Sequence, residues 1–402
     1  MKILFLTDNF QPEVNAPASR TYEHCVEWAK EGVEVTVITC APNFPQGRVY
    51  EGYRNKLYQE EWMDGIRVIR VWSYITANAG FTRRVLDYVS FALSASLASL
   101  FIKTDIIIAT SPQFFAAVGG YTASLLKRRP WLMEVRDLWP ESIKAVEAMD
   151  HQRAIDWLER LELHLYRKAR QVIVVTDAFK ANISGRGIPA NKIQVVKNGV
   201  RLSQFRPQPK DAGLTESLGL QGKFVLGYLG THGLAHKLDF ILECASEAPE
   251  HVHFLFIGDG AERARLLDIQ QGKGLANVSL LPSIPRSEVA RYISLTDAAL
   301  VPLKKSDTFK TVIPSKIFEN AAMEKPILLG VEGESQAIIE QYGAGLCFEP
   351  ENKTDFLSQL QRLSTDSALY SQLQAGCRRL AADFGRERLA REMLEVVRSV
   401  SK

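Results

Sequence analysis

The chain is organised around residues 298–328, in which AALVPL (298–303) is followed, after a polar segment, by PSKIFENAAMEKPIL (314–328). The first run is short and apolar and contains a proline near its end, which is typical of a buried parallel strand. Pro314 and Ser315 are residues that favour the start of a helix, and Ser315 is a good cap. Lys325 and Pro326 then end the helix before the next apolar strand. The stretch predicts a strand–loop–helix–strand unit of an α/β protein.

The first turn of that predicted helix carries a cation and a carboxylate at the carboxyl edge of the sheet. Phosphorylated ligands bind at this edge in open α/β sheets. Lys316 suits a phosphate there, and Glu319, one turn further on, suits the two hydroxyls of a ribose. The alternative is a surface helix with ordinary charges.

Size and charge limit the classes of protein. A chain of 402 residues is longer than one hydrophobic core supports, so we expect two domains. The net charge of +3 (49 basic minus 46 acidic residues) argues against nucleic acid as the main partner. The five cysteines are scattered without a CxxC pair, which favours buried thiols over disulfides or a zinc site. The sequence opens directly on a strand pattern, so we expect no signal peptide and a cytoplasmic protein.

A second unusual stretch, RDLWPES at 136–142, follows the apolar strand pattern at 131–135. Charged residues, a tryptophan and a proline at the carboxyl end of a strand are poor choices for stability, and such places carry function. Asp137 could accept hydrogen bonds from sugar hydroxyls, and Arg136 could bind a diphosphate or orient Asp137. The alternative is an internal Arg–Asp pair beside a buried tryptophan.

The sequence resembles the family 4 retaining glycosyltransferases with the GT-B fold. The stretches that carry the resemblance are PSKIFE (314–319), the small pair 321–322, KPI (325–327) and RDLWPES (136–142). Within that family they resemble the bacterial O-antigen and capsule branch that transfers N-acetylamino sugars, including L-fucosamine (FucNAc) transferases. The resemblance implies an α/β protein of two facing Rossmann-like domains with a deep interdomain cleft. It implies an acceptor-binding domain at 1–200, a linker at 201–221, a nucleotide-sugar-binding domain at 222–384, and a C-terminal helix at 385–402 that crosses back to the first domain.

The resemblance also implies which residues bind the donor. Glu319 matches the family glutamate that grips the ribose, whereas Thr311 stands where the wider family has a first glutamate. Many relatives have an arginine directly after Gly230, where this chain has Thr231, so the phosphate charge falls to His236, Lys237 or Lys316. The catalytic candidates are Arg136, Asp137, Lys316 and Glu319. The donor-binding candidates are Gly230, Thr231, His236, Lys237, Gly258, Ser283, Ile284, Pro314, Ser315, Lys316 and Glu319.

The acceptor-binding candidates lie in the first half of the chain. They are Asn15, in the loop after the first strand, Arg20, in a helix predicted from about Ser19 to Gly32, Trp139, and Arg83 and Arg84. These two arginines precede an uncharged run at 88–102, which is too short and too serine-rich to span a bilayer. The run predicts either a buried helix or a helix lying on a membrane, where the two arginines would meet anionic head groups.

The resulting expectation is a retaining enzyme that moves an N-acetylamino sugar from a UDP-sugar to a polyprenyl-diphosphate-linked sugar, in O-antigen, lipopolysaccharide or capsule synthesis. N-Acetyl-L-fucosamine is one candidate for that sugar. We expect no metal cofactor, no nucleic acid partner, and a location on the inner face of the inner membrane. Two alternatives stay open: a nucleotide-sugar 2-epimerase of the same fold, which would turn over the donor without an acceptor, and a non-catalytic nucleotide-sugar-binding subunit.

Overall fold

The structure is a computed structural model that describes residues 1–13, 15–44, 46–76, 81–111, 113–139 and 152–401. The side chains of residues 81, 82, 84 and 152 are outside this description, as are residues 140–142 of the RDLWPES stretch. The described chain divides into two compact units. One comprises Met1–Asn198 with Arg386–Lys402, and the other comprises Gly199–Gly385.

The first unit is built on a sheet of eight described strands in the order β3-β4-β2-β1-β5-β6-β7-β8. All neighbouring pairs are parallel except β3 and β4. The strands are β1 (Lys2–Leu6), β2 (Glu34–Cys40), β3 (Tyr58–Met63), β4 (Ile66–Val71), β5 (Ile106–Thr110), β6 (Trp131–Val135), β7 (Gln171–Val174) and β8 (Ile193–Val195).

Helices cover this sheet, and the elements alternate along the chain as parallel strands require. They are α1 (Ala16–Lys30), α2 (Phe81–Ser99), α3 (Phe114–Lys127), α4 (Gln152–Lys168) and α5 (Asp177–Gly185). Strands β5 and β6 are buried along their whole length, which explains why their sequences are continuous apolar runs without alternation.

The second unit has a sheet of six described strands in the order β11-β10-β9-β12-β13-β14, all parallel. Its strands are β9 (Phe224–Leu229), β10 (Val252–Ile257), β11 (Val278–Leu281), β12 (Ala298–Pro302), β13 (Ile327–Gly330) and β14 (Gly345–Cys347). Its helices are α6 (Ala212–Ser217), α7 (Leu238–Ala245), α8 (Arg263–Lys273), α9 (Val289–Ser294), α10 (Lys316–Ala322), α11 (Glu334–Tyr342), α12 (Lys353–Thr365) and α13 (Ser367–Asp383).

The last helix, α14 (Arg386–Val400), belongs to the first unit, where it packs on α1. The Trp28 indole Nε1 donates a hydrogen bond of 2.7 Å to the Ala390 carbonyl, and Met393 and Leu394 are buried in the same core. The Arg386 side chain lies 2.9 Å from Glu23 of α1. These contacts explain why a helix that follows the second unit in sequence is part of the first.

The strand–loop–helix–strand prediction for residues 298–328 is confirmed by β12, α10 and β13. One local detail was wrong, because the Ser315 side chain makes no capping hydrogen bond with the helix. Helix α1 begins at Ala16, before the predicted start near Ser19, because Asn15 caps it by accepting a 2.8 Å hydrogen bond from the Ala18 amide.

Candidate active site

A cavity of about 310 Å³ lies in the second unit where β9, β10 and β11 end. It is lined by Leu229, Gly230, Thr231, Ile257, Gly258, Asp259, Ser283, Ile284, Arg286, Val289 and Glu319. The chain leaves β9 toward β10 on one side and later returns to place β12 on the other. The cavity therefore adjoins a topological switch point, where open parallel sheets bind ligands.

A buried lysine, Lys316, lies next to this cavity at Gly230, although it is not among the lining residues, where the cation is Arg286. Its Nζ lies 3.8 Å from the centroid of the Tyr228 ring. The Nζ atom is buried and has no hydrogen-bond partner among the described residues. Burial lowers the pKa of Lys316 to about 7, against a smaller opposing effect of Glu319. An ammonium group without a hydrogen-bond acceptor is costly to bury, so the arrangement favours an anionic ligand.

Two glycines create the space for this arrangement. A Cβ on Gly230 would lie 2.8 Å from Lys316 Nζ, and a Cβ on Gly258 would collide with the Gly230 carbonyl. Both glycines have a positive φ (149° and 156°) that other residues rarely adopt. The Gly230 amide donates to the Ile257 carbonyl at 2.9 Å, so this amide is occupied by the β9–β10 contact. The glycines thus act here by allowing close approach.

Two neutral histidines, His232 and His236, lie near Lys316 against the same Tyr228 ring. His232 is fully buried, and none of its ring nitrogens has a hydrogen-bond partner among the described residues. Its backbone joins the two glycine loops, because its amide donates to the Asp259 carbonyl at 2.8 Å and its carbonyl accepts from the Glu262 amide at 2.9 Å. Burial lowers the pKa of His232 and of His236 to about 4, so both rings are uncharged at neutral pH. The sequence indicated only His236.

Glu319 has a partner that the sequence did not predict. Arg286 Nη2 donates to Glu319 Oε1 at 2.6 Å, and the Arg286 guanidinium lies 5.1 Å from the Phe205 ring centroid. Both charged residues line the cavity. Arg286 belongs to a 3-10 turn, Arg286–Glu288, that directly precedes α9.

Some of the other predicted donor residues line the cavity and some do not. Thr231, Ser283 and Ile284 line the cavity with Gly230 and Gly258. Lys237 is outside the cavity lining, and its Nζ lies 3.6 Å from Asp239 and 4.0 Å from Glu351. Pro314 and Ser315 precede α10 without lining the cavity themselves. The lysine next to the Gly230 turn is therefore Lys316 and not Lys237.

In the first unit, Arg136 has an internal role at the end of β6. Its Nη1 and Nη2 donate to the carbonyls of Pro17 and Ala16, each at 3.0 Å, and its amide donates to Ser111 Oγ at 2.9 Å. Burial lowers the pKa of Arg136 to about 9. Arg136 thus ties the start of α1 to the end of β6, and Asp137 follows it half-buried.

Trp139 lies against aromatic rings at the same end of the sheet. It stacks on Phe114 with a centroid distance of 5.8 Å and an interplanar angle of 6°, and its edge contacts Tyr88 at 6.3 Å. It is half-buried and packs against the first unit's core.

Arg20 is an internal residue in the structure. Its side chain is 1% exposed, and its Nε donates to Glu134 Oε1 at 2.9 Å. The remaining nitrogens donate to the carbonyls of Lys197 (2.7 Å) and Val196 (2.9 Å). Asn15 is the cap of α1 and donates to Asn9 Oδ1 at 2.8 Å. The structure gives both residues a role in holding the loop together.

Two carboxylates that the sequence did not indicate lie at the carboxyl end of the first sheet. Asp8 follows β1, and burial together with the charges of Asp87 and Glu13 raises its pKa to about 8. Burial raises the pKa of Asp87, on α2, to about 6. No local pattern marks either residue, because their interaction joins positions far apart in the sequence.

Helix α2 exposes one apolar face. Phe91 and Ala95 are buried, whereas Leu93 and Leu97 are each 62% exposed and Phe101, just beyond the helix, is 87% exposed. Arg83 is exposed at the start of the helix, and the side chain of Arg84 is outside the described residues. Within the part of the chain that the structure describes, none of the helices has the length and apolar character needed to cross a membrane.

Comparison with known proteins defines the class. Residues 15–199 match the model of the glycosyl transferase 4-like domain, and residues 223–366 match that of glycosyl transferases group 1. The chain is therefore a glycosyltransferase that combines these two domains, and the enzyme class expected from the sequence is confirmed.

Named relatives are distant. WcaI of Escherichia coli (strain K12), named as a glycosyl transferase of colanic acid biosynthesis, is 26% identical over 371 residues, which cover 88% of this chain and 89% of the relative. TuaH of Bacillus subtilis (strain 168), named as a glycosyltransferase of teichuronic acid biosynthesis, is 25% identical over 235 residues, or 58% of each chain.

Solved structures of similar fold cover nearly the whole chain. Sucrose-phosphate synthase from Thermosynechococcus elongatus matches with a TM-score of 0.77 at 17% identity, over 99% of this chain and 98% of that one. HepE from Anabaena, solved in complex with UDP-glucose, matches with a TM-score of 0.73 at 17% identity, over 99% of this chain and 100% of that one. The expected GT-B class, with two Rossmann-like α/β domains, is confirmed.

Proposed function

We propose that this glycosyltransferase binds a UDP-sugar in the second unit and transfers an N-acetylamino sugar, with retention, to a polyprenyl-diphosphate-linked sugar in bacterial polysaccharide synthesis. The observation that carries the donor part is Lys316, whose buried Nζ has no hydrogen-bond partner among the described residues beside the Gly230 turn. The HepE complexes with UDP and with UDP-glucose support a uridine nucleotide. The names of WcaI and TuaH support a role in polysaccharide assembly.

The geometry supports a division of labour between Lys316, which adjoins the cavity, and the residues that line it. Lys316 stabilises the negative charge that develops on the departing diphosphate, because a fixed cation in a buried site needs no reorganisation during the reaction. Glu319 accepts hydrogen bonds from the ribose hydroxyls. Ser283 and Ile284 also line the cavity, and the base would bind against them.

Asp137 and Trp139 are our acceptor-side candidates in the first unit, since both are half-buried at the carboxyl end of β6. A flat aromatic ring suits the apolar face of a sugar, and a carboxylate suits its hydroxyls. N-Acetyl-L-fucosamine as the transferred sugar, and retention of anomeric configuration, rest on the RDLWPES and PSKIFE stretches.

The test is a transfer assay with UDP-N-acetylamino sugars and a polyprenyl-diphosphate sugar acceptor, with the product's anomeric configuration determined by NMR. We expect a retained linkage, and we expect EDTA to leave the rate unchanged because Lys316 supplies the positive charge. Donor turnover without acceptor would contradict transfer and support an epimerase. Asp137→Asn is expected to lower kcat at unchanged UDP affinity, and Asp268→Asn, on α8 in the second unit, is the matched control.

We further propose that α2 rests on the inner face of the inner membrane, which places the enzyme beside a lipid-linked acceptor. The exposed face that includes Leu93, Leu97 and Phe101 would enter the interface, and Arg83 and Arg84 would meet anionic head groups. We expect the protein to sediment with acidic-lipid vesicles at low salt. Unchanged sedimentation of Arg83→Glu/Arg84→Glu would contradict this orientation.

A further inference from the structure

A larger cavity lies in the first unit, at the edge of its sheet where the parallel strands begin. It has a volume of about 880 Å³ and is formed where β1, β5, β6, β7 and β8 begin. Its lining includes five cationic side chains: Arg129, Arg167, Lys168, Arg170 and Lys192. This edge is remote in the sheet from the Arg136–Trp139 turn, which follows the carboxyl end of β6.

Within the described part of the chain, most cations of this cavity have no acidic partner. Among the described residues, the side chains of Arg129, Arg167, Lys168 and Arg170 form no ion pair and no hydrogen bond. The one carboxylate in the described lining is Asp105, which already accepts a 2.7 Å hydrogen bond from the Lys2 amide. Elsewhere many surface arginines have carboxylate partners, such as Arg67 with Glu60 at 2.8 Å.

The helix ends at this edge explain only part of the charge. Helices α3 and α4 end here, and cations near a helix C-terminus are favourable. The last carbonyls of α4 are, however, already occupied: Lys192 Nζ donates to the Arg167 carbonyl at 2.5 Å, and Trp131 Nε1 donates to the Lys168 carbonyl at 3.2 Å. Burial and the charge of Arg170 lower the pKa of Lys192. The side chains of Arg129, Arg167, Lys168 and Arg170 are exposed, so water and salt screen part of their mutual repulsion, and a bound anion would relieve the rest.

We propose that this cavity binds a phosphate-type polyanion, either the head group of an anionic phospholipid or a free diphosphate. Arginine and lysine side chains make their strongest hydrogen bonds to such groups. The adjoining end of α3 exposes Leu125 and Leu126, which would contact acyl chains if the anion belongs to a lipid. The site is distinct from the donor site and does not depend on the proposed transfer reaction.

The test uses the full chain carrying Lys316→Ala, so that diphosphate binding in the second unit is removed. Isothermal titration with inorganic diphosphate should show one site, and Arg129→Gln/Arg170→Gln should weaken it at least about tenfold, since each charged hydrogen bond is worth about a factor of ten. Arg54→Gln/Arg362→Gln removes the same charge from exposed arginines elsewhere and should leave the affinity unchanged. Arg167→Gln/Lys168→Gln provides an independent pair should the first variant fold poorly.

Vesicles distinguish the two sources of the anion. A lipid head group is the occupant if the protein sediments with phosphatidylglycerol vesicles and not with phosphatidylcholine vesicles. In that case diphosphate should compete with the vesicles, and Arg129→Gln/Arg170→Gln should weaken the sedimentation. Diphosphate binding that vesicles do not displace would assign it to a free anion. The proposal is overturned if Arg129→Gln/Arg170→Gln and Arg167→Gln/Lys168→Gln both leave the diphosphate affinity and the vesicle binding unchanged. These cations would then serve only the helix ends.

Discussion

At the scale of single residues, the donor cavity depends on contacts between positions far apart in the chain. Lys316 lies against the Tyr228 ring and beside Gly230 because β9 and α10 meet at the switch point of the sheet. The sequence predicted Lys316 and Glu319 from their place in a helix start. It could not predict Arg286, because a 3-10 turn more than thirty positions away in the chain brings that guanidinium to Glu319.

Binding of a donor should take up a proton above pH 7. Burial lowers the pKa of Lys316 to about 7, and a bound diphosphate favours the ammonium and raises that pKa. Near pH 8 the free lysine is mostly neutral, so binding is expected to take up about one proton, whereas near pH 6 it takes up none. Calorimetric titration with UDP-N-acetylglucosamine in buffers of different ionisation enthalpy measures the number of protons taken up. This ligand is suitable because its diphosphate diester does not titrate between pH 6 and 8.

The control for that prediction is Lys316→Arg, in which the side chain stays charged at every accessible pH. This variant should bind the donor without proton uptake. The same uptake in Lys316→Arg as in the unmodified protein would show that another group, and not Lys316, titrates.

Arg286 is predicted to position Glu319 for the ribose. Because the arginine is 40% exposed on its side-chain surface, the ion pair is worth at most about 1 kcal/mol. Arg286→Ala should therefore raise the Kd of UDP about two- to fivefold, and Arg286→Lys should recover part of the loss. The loss should be smaller for 2′,3′-dideoxy-UDP, which lacks the hydroxyls. Tighter UDP binding by Arg286→Ala would mean that the pair instead competes with the ribose.

At the scale of secondary structure, residue patterns predicted elements well and their ends less well. Pro326 correctly marks the entry to β13. Thr176 caps α5 by accepting a 3.0 Å hydrogen bond from the Phe179 amide. The start of α1 was placed too late because Asn15, inside a loop with two prolines, proved to be the cap. The uncharged run at 88–102 left two interpretations open, and the structure shows a helix with one buried and one exposed apolar face.

The two faces of α2 should respond differently to substitution. Leu93→Ser/Leu97→Ser changes exposed side chains, so the free energy of unfolding should change by no more than about 0.5 kcal/mol at each position, while binding to acidic vesicles falls. Phe91 is fully buried, and Phe91→Ala should lower the free energy of unfolding by about 3–5 kcal/mol. Denaturant unfolding and vesicle sedimentation measure the two effects. Loss of stability without loss of vesicle binding in the leucine variant would place the membrane surface elsewhere.

At the scale of the whole molecule, two sheets of mostly parallel strands follow from apolar runs separated by helical segments over 402 residues. Helix α14 shows the limit of that reasoning. Its amphipathic pattern predicts a helix, but its place on α1 depends on the Trp28 hydrogen bond and the Arg386–Glu23 pair, which join the two ends of the chain. Residue patterns alone predicted the α/β fold class. That α14 packs on the first unit was indicated only by the family resemblance.

The central claim is that the second unit holds a uridine-diphosphate sugar on Lys316 and Glu319. Saturation-transfer NMR of the purified protein against UDP- and GDP-sugars tests it most directly, with Lys316→Ala and Glu319→Ala beside it and Lys305→Ala and Glu340→Ala as matched controls outside the cavity. We predict binding of UDP-N-acetylamino sugars that Lys316→Ala and Glu319→Ala each weaken by at least about tenfold and that the controls leave unchanged. Binding that neither of these two substitutions alters would contradict the account and place the donor elsewhere in the molecule.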